Sequence, residues 1–238
     1  MKRFGILFPG QGSQYVGMGK QLYDRFDDVR LLFEKADLAS GAPLTNLCFN
    51  GPEDELRKTY NTQPALLLVS YAIWTVLKKE TGLEPFMLAG HSLGEYTALL
   101  VSGLFPFDEA IRLVRTRGLL MEEACPAGVG GMAALIAPVL EKVEAVCTEI
   151  SHDDYVVAPA NLNSPDQLVL SGNAAALKEA LERLKGTGYK KAVPLNVSGP
   201  FHSPLMKPAA EKLRSALSGI PLRDMAFPVV SNVDARPY

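Results

Sequence analysis

The chain has 238 residues, of which 47% are hydrophobic and 21% are charged, and these fractions are ordinary for a globular enzyme. Its 24 basic and 26 acidic side chains give a formal net charge of −2. That balance excludes a protein whose whole surface attracts nucleic acid or an anionic membrane. The three cysteines, Cys48, Cys125 and Cys147, are too widely spaced for a disulfide framework or a zinc site.

The apolar segments of the sequence predict neither a leader nor a membrane span. The N-terminal run Phe4–Phe8 is too short for the core of a signal peptide. The longest apolar stretch, Ala65–Leu77, is interrupted by Ser70 and Thr75 and is too short to cross a bilayer. We therefore expect a soluble, cytoplasmic protein that has reduced thiols and binds neither nucleic acid nor membranes. We also expect a monomer, although the sequence itself does not give the oligomeric state.

The first half of the chain predicts strands that alternate with helices. The predicted elements are a strand at Phe4–Phe8, a helix capped by Thr62 with Pro64 in its first turn and running to about Glu80, a strand at Phe86–Ala89, a helix that continues to Leu100 and stops at Gly103, and a helix at Phe107–Ala124. This alternation favours a parallel sheet with helices on both faces.

The middle of the chain predicts a second type of unit. Its elements are a strand at Gly131–Ile136, a helix at Val139–Ile150, strands at Tyr155–Val157 and Gln167–Leu170 connected through Asn161–Pro165, a helix at Ala174–Lys185 and a strand at Lys191–Val197. The order β-α-β-β-α-β is that of a ferredoxin-like unit. We predict that residues 128–197 form this subdomain, inserted between residues 1–127 and 198–238 of the larger domain.

The segment Gly90-His-Ser-Leu-Gly94 matches the G-x-S-x-G pattern of a nucleophile elbow. A predicted strand precedes it and a predicted helix follows it, as the motif requires. Ser92 is therefore a candidate nucleophile, and the N–H of Leu93 would face developing negative charge. The alternative is a glycine-rich turn that holds a buried, hydrogen-bonded serine.

A serine nucleophile needs a general base, and the chain offers three histidines. His91 adjoins the nucleophile in the turn and is better explained by packing, whereas His152 lies in a polar loop. His202 lies in a loop between a predicted strand and a helix, where functional groups are commonly presented. By elimination, His202 is the candidate base.

Two further segments carry candidate binding groups. Apolar residues at three- and four-residue spacing surround Arg117 and place its guanidinium on the buried face of a helix, where it must meet an anion. That anion is either a buried carboxylate of the protein or the carboxylate of a substrate. The glycine-rich turn Phe8–Gln14 is neither a P-loop nor a dinucleotide motif, and the N–H of Gln11 fits a second oxyanion donor.

These motifs resemble the malonyl-CoA:acyl carrier protein transacylases and the acyltransferase domains of fatty acid and polyketide synthases. The matching segments, in the family's order, are Phe8–Gln14, Thr62–Leu66, Gly90–Tyr96, Arg115–Gly118, Gly131–Ala134, Asn161–Pro165 and Val197–Ser203. The resemblance implies an α/β-hydrolase-like parallel-sheet core with an inserted ferredoxin-like subdomain. It also implies transfer of malonyl from malonyl-CoA to the phosphopantetheine thiol of acyl carrier protein, without any other cofactor or metal.

By motif, the resemblance makes Ser92 the acylated nucleophile and His202 its base. It makes Gln11 and Leu93 the oxyanion donors and Arg117 the ligand of the malonyl carboxylate. It further implies that Asn163, and less directly Asn161, shape the site, and that a main-chain carbonyl orients the histidine. Members of the family usually continue for some tens of residues beyond Tyr238, so we expect the C-terminal part of the core to be missing from this chain.

Three alternatives and expectations accompany this interpretation. An acyl-CoA thioesterase or other serine hydrolase would share the elbow but would not need Arg117. A carrier-protein-binding scaffold without turnover would not need an intact Ser92 and His202. Carrier proteins of this family are acidic, so we expect them to dock on a local basic patch that includes Lys190 and Lys191, although solvated lysines at a turn explain these residues equally well.

Overall fold

The computed structural model describes residues 4–126 and 128–238. The described residues of Met1–Gly118 and Ala216–Tyr238 form one compact unit, and those of Leu119–Ser215 form another. The six strands within the described residues are β1 Gly5–Phe8, β2 Met87–Gly90, β3 Gly130–Ile136, β4 Val157–Ser164, β5 Gln167–Asn173 and β6 Lys191–Pro194. The ten α-helices of the described residues are α1 Lys20–Arg25, α2 Asp27–Ser40, α3 Leu44–Asn50, α4 Glu53–Arg57, α5 Thr59–Thr81, α6 Leu93–Ser102, α7 Phe107–Ala124, α8 Leu140–Ile150, α9 Ala174–Leu184 and α10 Lys207–Ser218.

The first unit is built around the parallel pair of β1 and β2, in which Phe8 is opposite Gly90. On its other side β2 bridges in parallel to Val229 through Leu88, whose backbone makes hydrogen bonds to the 228–230 segment. The core beside these strands contains Trp74 and Leu88, which are 6% and 0% exposed. Because parallel strands end at the same edge, the turns that follow β1 and β2 lie close together.

The second unit contains an antiparallel sheet in the order β4-β5-β3-β6, covered by α8 and α9. The chain order and the strand order are those of a ferredoxin-like unit. Together with the parallel sheet of the first unit, this arrangement confirms the predicted α/β fold class. The predicted domain limits at residues 127/128 and 197/198 remain predictions.

Helix α5 begins three residues before the predicted cap, so the prediction that Thr62 caps it was wrong. Pro64 lies inside the helix and has no N–H to donate to the carbonyl of Tyr60. Arg115 replaces that donor, because its Nη1 lies 3.3 Å from the Tyr60 carbonyl oxygen and 3.1 Å from Asn61 Oδ1. A distant side chain therefore lets the helix continue through the proline.

Strand boundaries also differ from the predicted ones, most of all in β4, in β5, which continues to Asn173, and in β6. Asn161–Ser164, predicted as a connection, forms the second half of β4, because pairing with β5 outweighs the turn-like composition of this segment. Strand β6 ends at Pro194 rather than Val197, where proline cannot donate to a ladder. No helix within residues 4–126 and 128–238 is long and apolar enough to cross a membrane.

Candidate active site

Ser92 lies in the turn between β2 and α6 and has a strained backbone, with φ 50° and ψ −101°. A Cβ on Gly90 would lie 1.9 Å from the backbone carbon of Gly94, and a Cβ on Gly94 would lie 2.2 Å from the carbonyl oxygen of Phe8. Only glycine fits at either position. These contacts form the predicted elbow, and strain of this kind is characteristic of functional sites.

The turn after β1 packs directly against the elbow. A Cβ on Gly10 would lie 2.5 Å from the carbonyl oxygen of His91, so the two backbones touch at this point. Gln11 follows at once, and its Nε2 donates to Thr59 Oγ1 at 3.4 Å. The contact brings the predicted donors, the N–H groups of Gln11 and Leu93, to the same end of the sheet.

Leu93 is the first residue of α6 and its side chain is 1% exposed. An N–H at this position has no acceptor within its own helix and lies at the positive end of the helix dipole. The N–H of Ser92 is engaged elsewhere, since it donates to Asn232 Oδ1 at 2.7 Å. At the elbow, the geometry therefore favours Leu93 over Ser92 as an oxyanion donor.

Arg117 directly contacts Ser92, the predicted nucleophile. Its Nη2 donates to Ser92 Oγ at 3.1 Å and its Nη1 donates to Gln63 Oε1 at 2.7 Å. The guanidinium also lies over the ring of Tyr96, with 5.3 Å between Cζ and the ring centroid. A cation held this close to Oγ stabilises negative charge on that oxygen and on a group bound beside it.

The packing of α5 against α7 explains how Arg117 comes to this position. A Cβ on Gly118 would lie 2.5 Å from Tyr60 Cα, so the two helix backbones make a close contact there. The contact sets the side chain of Arg117 beside Gln63, which is fully buried on α5. Gln63 belongs to the Thr62–Leu66 motif, but its role as a partner of Arg117 was not predicted.

The surroundings of Arg117 bear on whether its anionic partner is a carboxylate of the protein or of a substrate. Its side chain is buried, at 9% exposure, and burial lowers the pKa of the guanidinium, although nearby Tyr96 and Glu95 act in the opposite direction. Within its own unit, the described residues place no carboxylate within 4.0 Å of it. Its hydrogen-bond partners there are neutral, which favours an anion supplied by a substrate over a structural ion pair.

Asn232 is an elbow residue that the sequence did not indicate. Besides accepting from the N–H of Ser92, its side chain donates from Nδ2 to the carbonyl oxygen of Gly90 at 2.6 Å. Its backbone N–H donates to Glu95 Oε2 at 2.8 Å. No pattern within Ser231–Tyr238 predicts this role, because it depends on contacts some 140 residues away along the chain.

His202 lies in the second unit, in the loop before α10. It is exposed and has a left-handed backbone, with φ 60°. Its neighbours anchor the loop, since Phe201 is 5% exposed in an apolar cluster and Ser203 Oγ donates to the carbonyl oxygen of Pro200 at 2.7 Å. The loop therefore presents His202 outward, and its role as base remains a prediction.

Asn163 also lies in the second unit, at an irregularity near the end of β4 where the register with β5 shifts between Leu162 and Ser164. It is exposed, and its Nδ2 donates to Gln167 Oε1 at 2.9 Å. Irregular strand positions often redirect a side chain. The structure thus brings Ser92, Arg117 and the Gln11 turn together in the first unit and places His202 and Asn163 in the second.

Comparison with known proteins identifies the family. An acyl transferase domain model matches residues 6–237. A malonyl CoA-acyl carrier protein transacylase of Bacillus subtilis is 47% identical over 99% of this chain and 74% of its own length, and one of Salmonella typhimurium is 45% identical over 99% and 76%.

Solved structures agree with the sequence comparison. A malonyl-transacylase in complex with its type II PKS acyl-carrier protein superposes with a TM-score of 0.95 at 46% identity, covering 100% of this chain and 76% of that one. An acyl carrier protein S-malonyltransferase of Vibrio cholerae gives a TM-score of 0.93 at 44% identity, covering 99% and 76%. This chain therefore belongs to the acyl transferase domain family.

Proposed function

We propose that this chain transfers the malonyl group of malonyl-CoA to the phosphopantetheine thiol of acyl carrier protein through an ester on Ser92. Its similarity to the transacylases of Bacillus subtilis and Salmonella typhimurium, both named for this reaction, supports the proposal. The product would supply malonyl units for fatty acid or polyketide synthesis.

The observation that carries the proposal is the position of Arg117 beside Ser92. Malonyl-CoA has its free carboxylate on the carbon next to the thioester carbonyl, so a cation that recognises this carboxylate must lie close to the nucleophile. The Nη2 atom of Arg117 lies 3.1 Å from Ser92 Oγ and satisfies that requirement. A planar guanidinium anchored by Gln63 suits bidentate contact with a carboxylate.

The reaction consists of two acyl transfers. His202 takes the proton of Ser92 Oγ as that oxygen bonds to the thioester carbon, and the N–H groups of Leu93 and Gln11 hold the resulting oxyanion. The C–S bond then breaks, and the coenzyme A sulfur receives the proton from His202. The carrier thiol then attacks the ester on Ser92 by the same steps in reverse order. Asn163 helps to shape the site. No cofactor takes part other than coenzyme A and the phosphopantetheine of the carrier protein.

Intact-protein mass measurement after incubation with malonyl-CoA tests the proposal. We expect a malonyl adduct that Ser92→Ala abolishes and that holo-acyl carrier protein removes with transfer of the label to the carrier. Rapid loss of the adduct to water, without carrier, would instead identify a thioesterase. Absence of any adduct on the folded chain would indicate a binding scaffold.

The proposal includes a monomeric, cytoplasmic protein. One chain carries every group named for the reaction, so the reaction does not need a second copy of the chain. Light scattering coupled to gel filtration should give the mass of one chain, 25.8 kDa. A dimer mass that persists on dilution would contradict this part of the proposal.

A further inference from the structure

One side chain, Asn232, binds the two backbone groups on either side of His91, immediately before Ser92 in the elbow. Its Oδ1 accepts from the N–H of Ser92 at 2.7 Å, and its Nδ2 donates to the carbonyl oxygen of Gly90 at 2.6 Å. The two partners fix the orientation of the amide, because the oxygen must face the N–H and the nitrogen must face the carbonyl. Only a side chain with one acceptor and one donor at this spacing satisfies both groups.

The two hydrogen bonds of Asn232 act on the most strained part of the elbow. Ser92 has φ 50° and ψ −101°, a backbone conformation that surrounding contacts must hold in place. Its N–H precedes the first residue of α6 and has no acceptor within that helix. With the Gly90 carbonyl and the Ser92 N–H both held, the two peptide planes on either side of His91 are fixed, and they lead directly into the Ser92 side chain and the Leu93 N–H.

The segment that carries Asn232 is itself ordered by contacts with the same helix. The Asn232 N–H donates to Glu95 Oε2 at 2.8 Å, and the hydroxyl of Tyr238 donates to Glu95 Oε1. Backbone bonds from Ser231 N–H to the Arg236 carbonyl, at 2.9 Å, close this segment into a turn. The backbone that carries the Asn232 amide is therefore itself held in place.

We propose that Asn232 is a positioning residue for the reaction, because it holds Ser92 Oγ and the Leu93 N–H in register for attack. This inference rests on the proposed function only in treating Ser92 as the nucleophile. Asn232 is an exposed residue, so replacing it leaves no cavity in the core and its effect falls on geometry more than on folding.

The test compares Asn232→Ala and Asn232→Asp with Val233→Ala. The aspartate keeps an acceptor for the Ser92 N–H but places a second oxygen against the Gly90 carbonyl. Val233 is the matched control, since it is the adjacent residue and its side chain is 95% exposed. Labelling of Ser92 by a fluorophosphonate gives a maximal rate and a half-saturating concentration, and urea unfolding gives the folded fraction to which each rate is normalised.

We expect both Asn232 variants to lower the maximal labelling rate about 10- to 100-fold, as for a misplaced catalytic group, while the half-saturating concentration and the unfolding midpoint stay near those of the unaltered chain. Val233→Ala should label normally. Unaltered rates in the folded fraction of both Asn232 variants would overturn the proposal, as would equal losses with Val233→Ala. If the Ala variant does not fold, the Asp variant decides the question by the same criteria.

Malonyl-CoA separates this inference from the proposed function. If the unaltered chain forms no malonyl adduct but Asn232 variants still slow fluorophosphonate labelling, the proposed function fails and the inference stands. If malonyl adducts form at the same rate in the unaltered chain and both variants, the inference fails and the proposed function stands.

Discussion

Replacing Arg117 by alanine should remove selectivity for malonyl without removing acyl transfer. The guanidinium donates to Gln63 and to Ser92 Oγ and lies at 9% exposure, where solvent screens it poorly. Losing a desolvated contact to a carboxylate costs about 2–5 kcal/mol. At one factor of ten per 1.36 kcal/mol, kcat/KM for malonyl-CoA should fall by about 30-fold to about 5,000-fold.

Acetyl-CoA is the discriminating substrate, because it carries the same thioester but no carboxylate. Its kcat/KM should stay unchanged or rise, since the variant no longer buries an unpaired cation beside an apolar acyl group. Release of the coenzyme A thiol measures both reactions in one assay. The kcat/KM of Arg117→Lys for malonyl-CoA should fall between the values for the unaltered chain and for Arg117→Ala, because lysine keeps the charge but not the bidentate geometry.

Arg112→Ala is the matched control on the same helix. Arg112 is half-exposed and pairs with Glu109 at 2.8 Å, so its loss should leave both substrates unaffected. Equal loss of activity toward malonyl-CoA and acetyl-CoA in Arg117→Ala would refute the reasoning, because it would show that Arg117 only supports the elbow.

Three further predictions concern the elbow, the carrier and a thiol. Gly94→Ala would place a Cβ 2.2 Å from a backbone carbonyl oxygen, so its free energy of unfolding, measured in urea, should fall by about 1–3 kcal/mol or more and Ser92 labelling should be lost. Gly219→Ala, with its nearest atom at 3.8 Å, should do neither. Reversing the exposed Lys190 and Lys191 to Glu should raise KM for the carrier and reduce its salt dependence without changing malonyl loading; an unchanged carrier KM would place docking elsewhere. Burial raises the pKa of the Cys48 thiol to about 12, so iodoacetamide at pH 8 should alkylate it only after unfolding. The contribution of the protonated thiol to the free energy of unfolding should be complete below about pH 9 and should decline as the pH rises through about 12.

The sequence predicted the elbow because its chemistry is local. A strand, two glycines, a serine and a helix lie within a few residues, and each constrains the next. Arg117 could be placed on a buried helix face for a similar reason, since its apolar neighbours follow the helical repeat. Neither argument identified Gln63 as its partner, because that contact spans 54 residues along the chain.

The errors arose where a distant group decides the local structure. Pro64 and Thr62 indicate a helix start, but α5 begins at Thr59, and Arg115 bonds the Tyr60 carbonyl that Pro64 cannot. Residues 161–164 have the composition of a connection, and pairing with β5 makes them a strand. Helices α1–α4 were not predicted from the pattern, and α10 was predicted only as a helix without bounds after the His202 loop.

Helix packing at Gly118 would connect the fold to the substrate selection that we propose for Arg117. A Cβ there would lie 2.5 Å from Tyr60 Cα, so Gly118→Ala must separate α5 from α7 next to Arg117. The backbone of Ser92 is held by its N–H bond to Asn232 Oδ1, so it should be disturbed less than the Arg117–Gln63 pair. We therefore expect the malonyl-to-acetyl preference to fall more than the rate of fluorophosphonate labelling of Ser92. Equal losses in the two measurements would show that the helix contact supports the nucleophile itself, and the separation of roles between the elbow and Arg117 would be wrong.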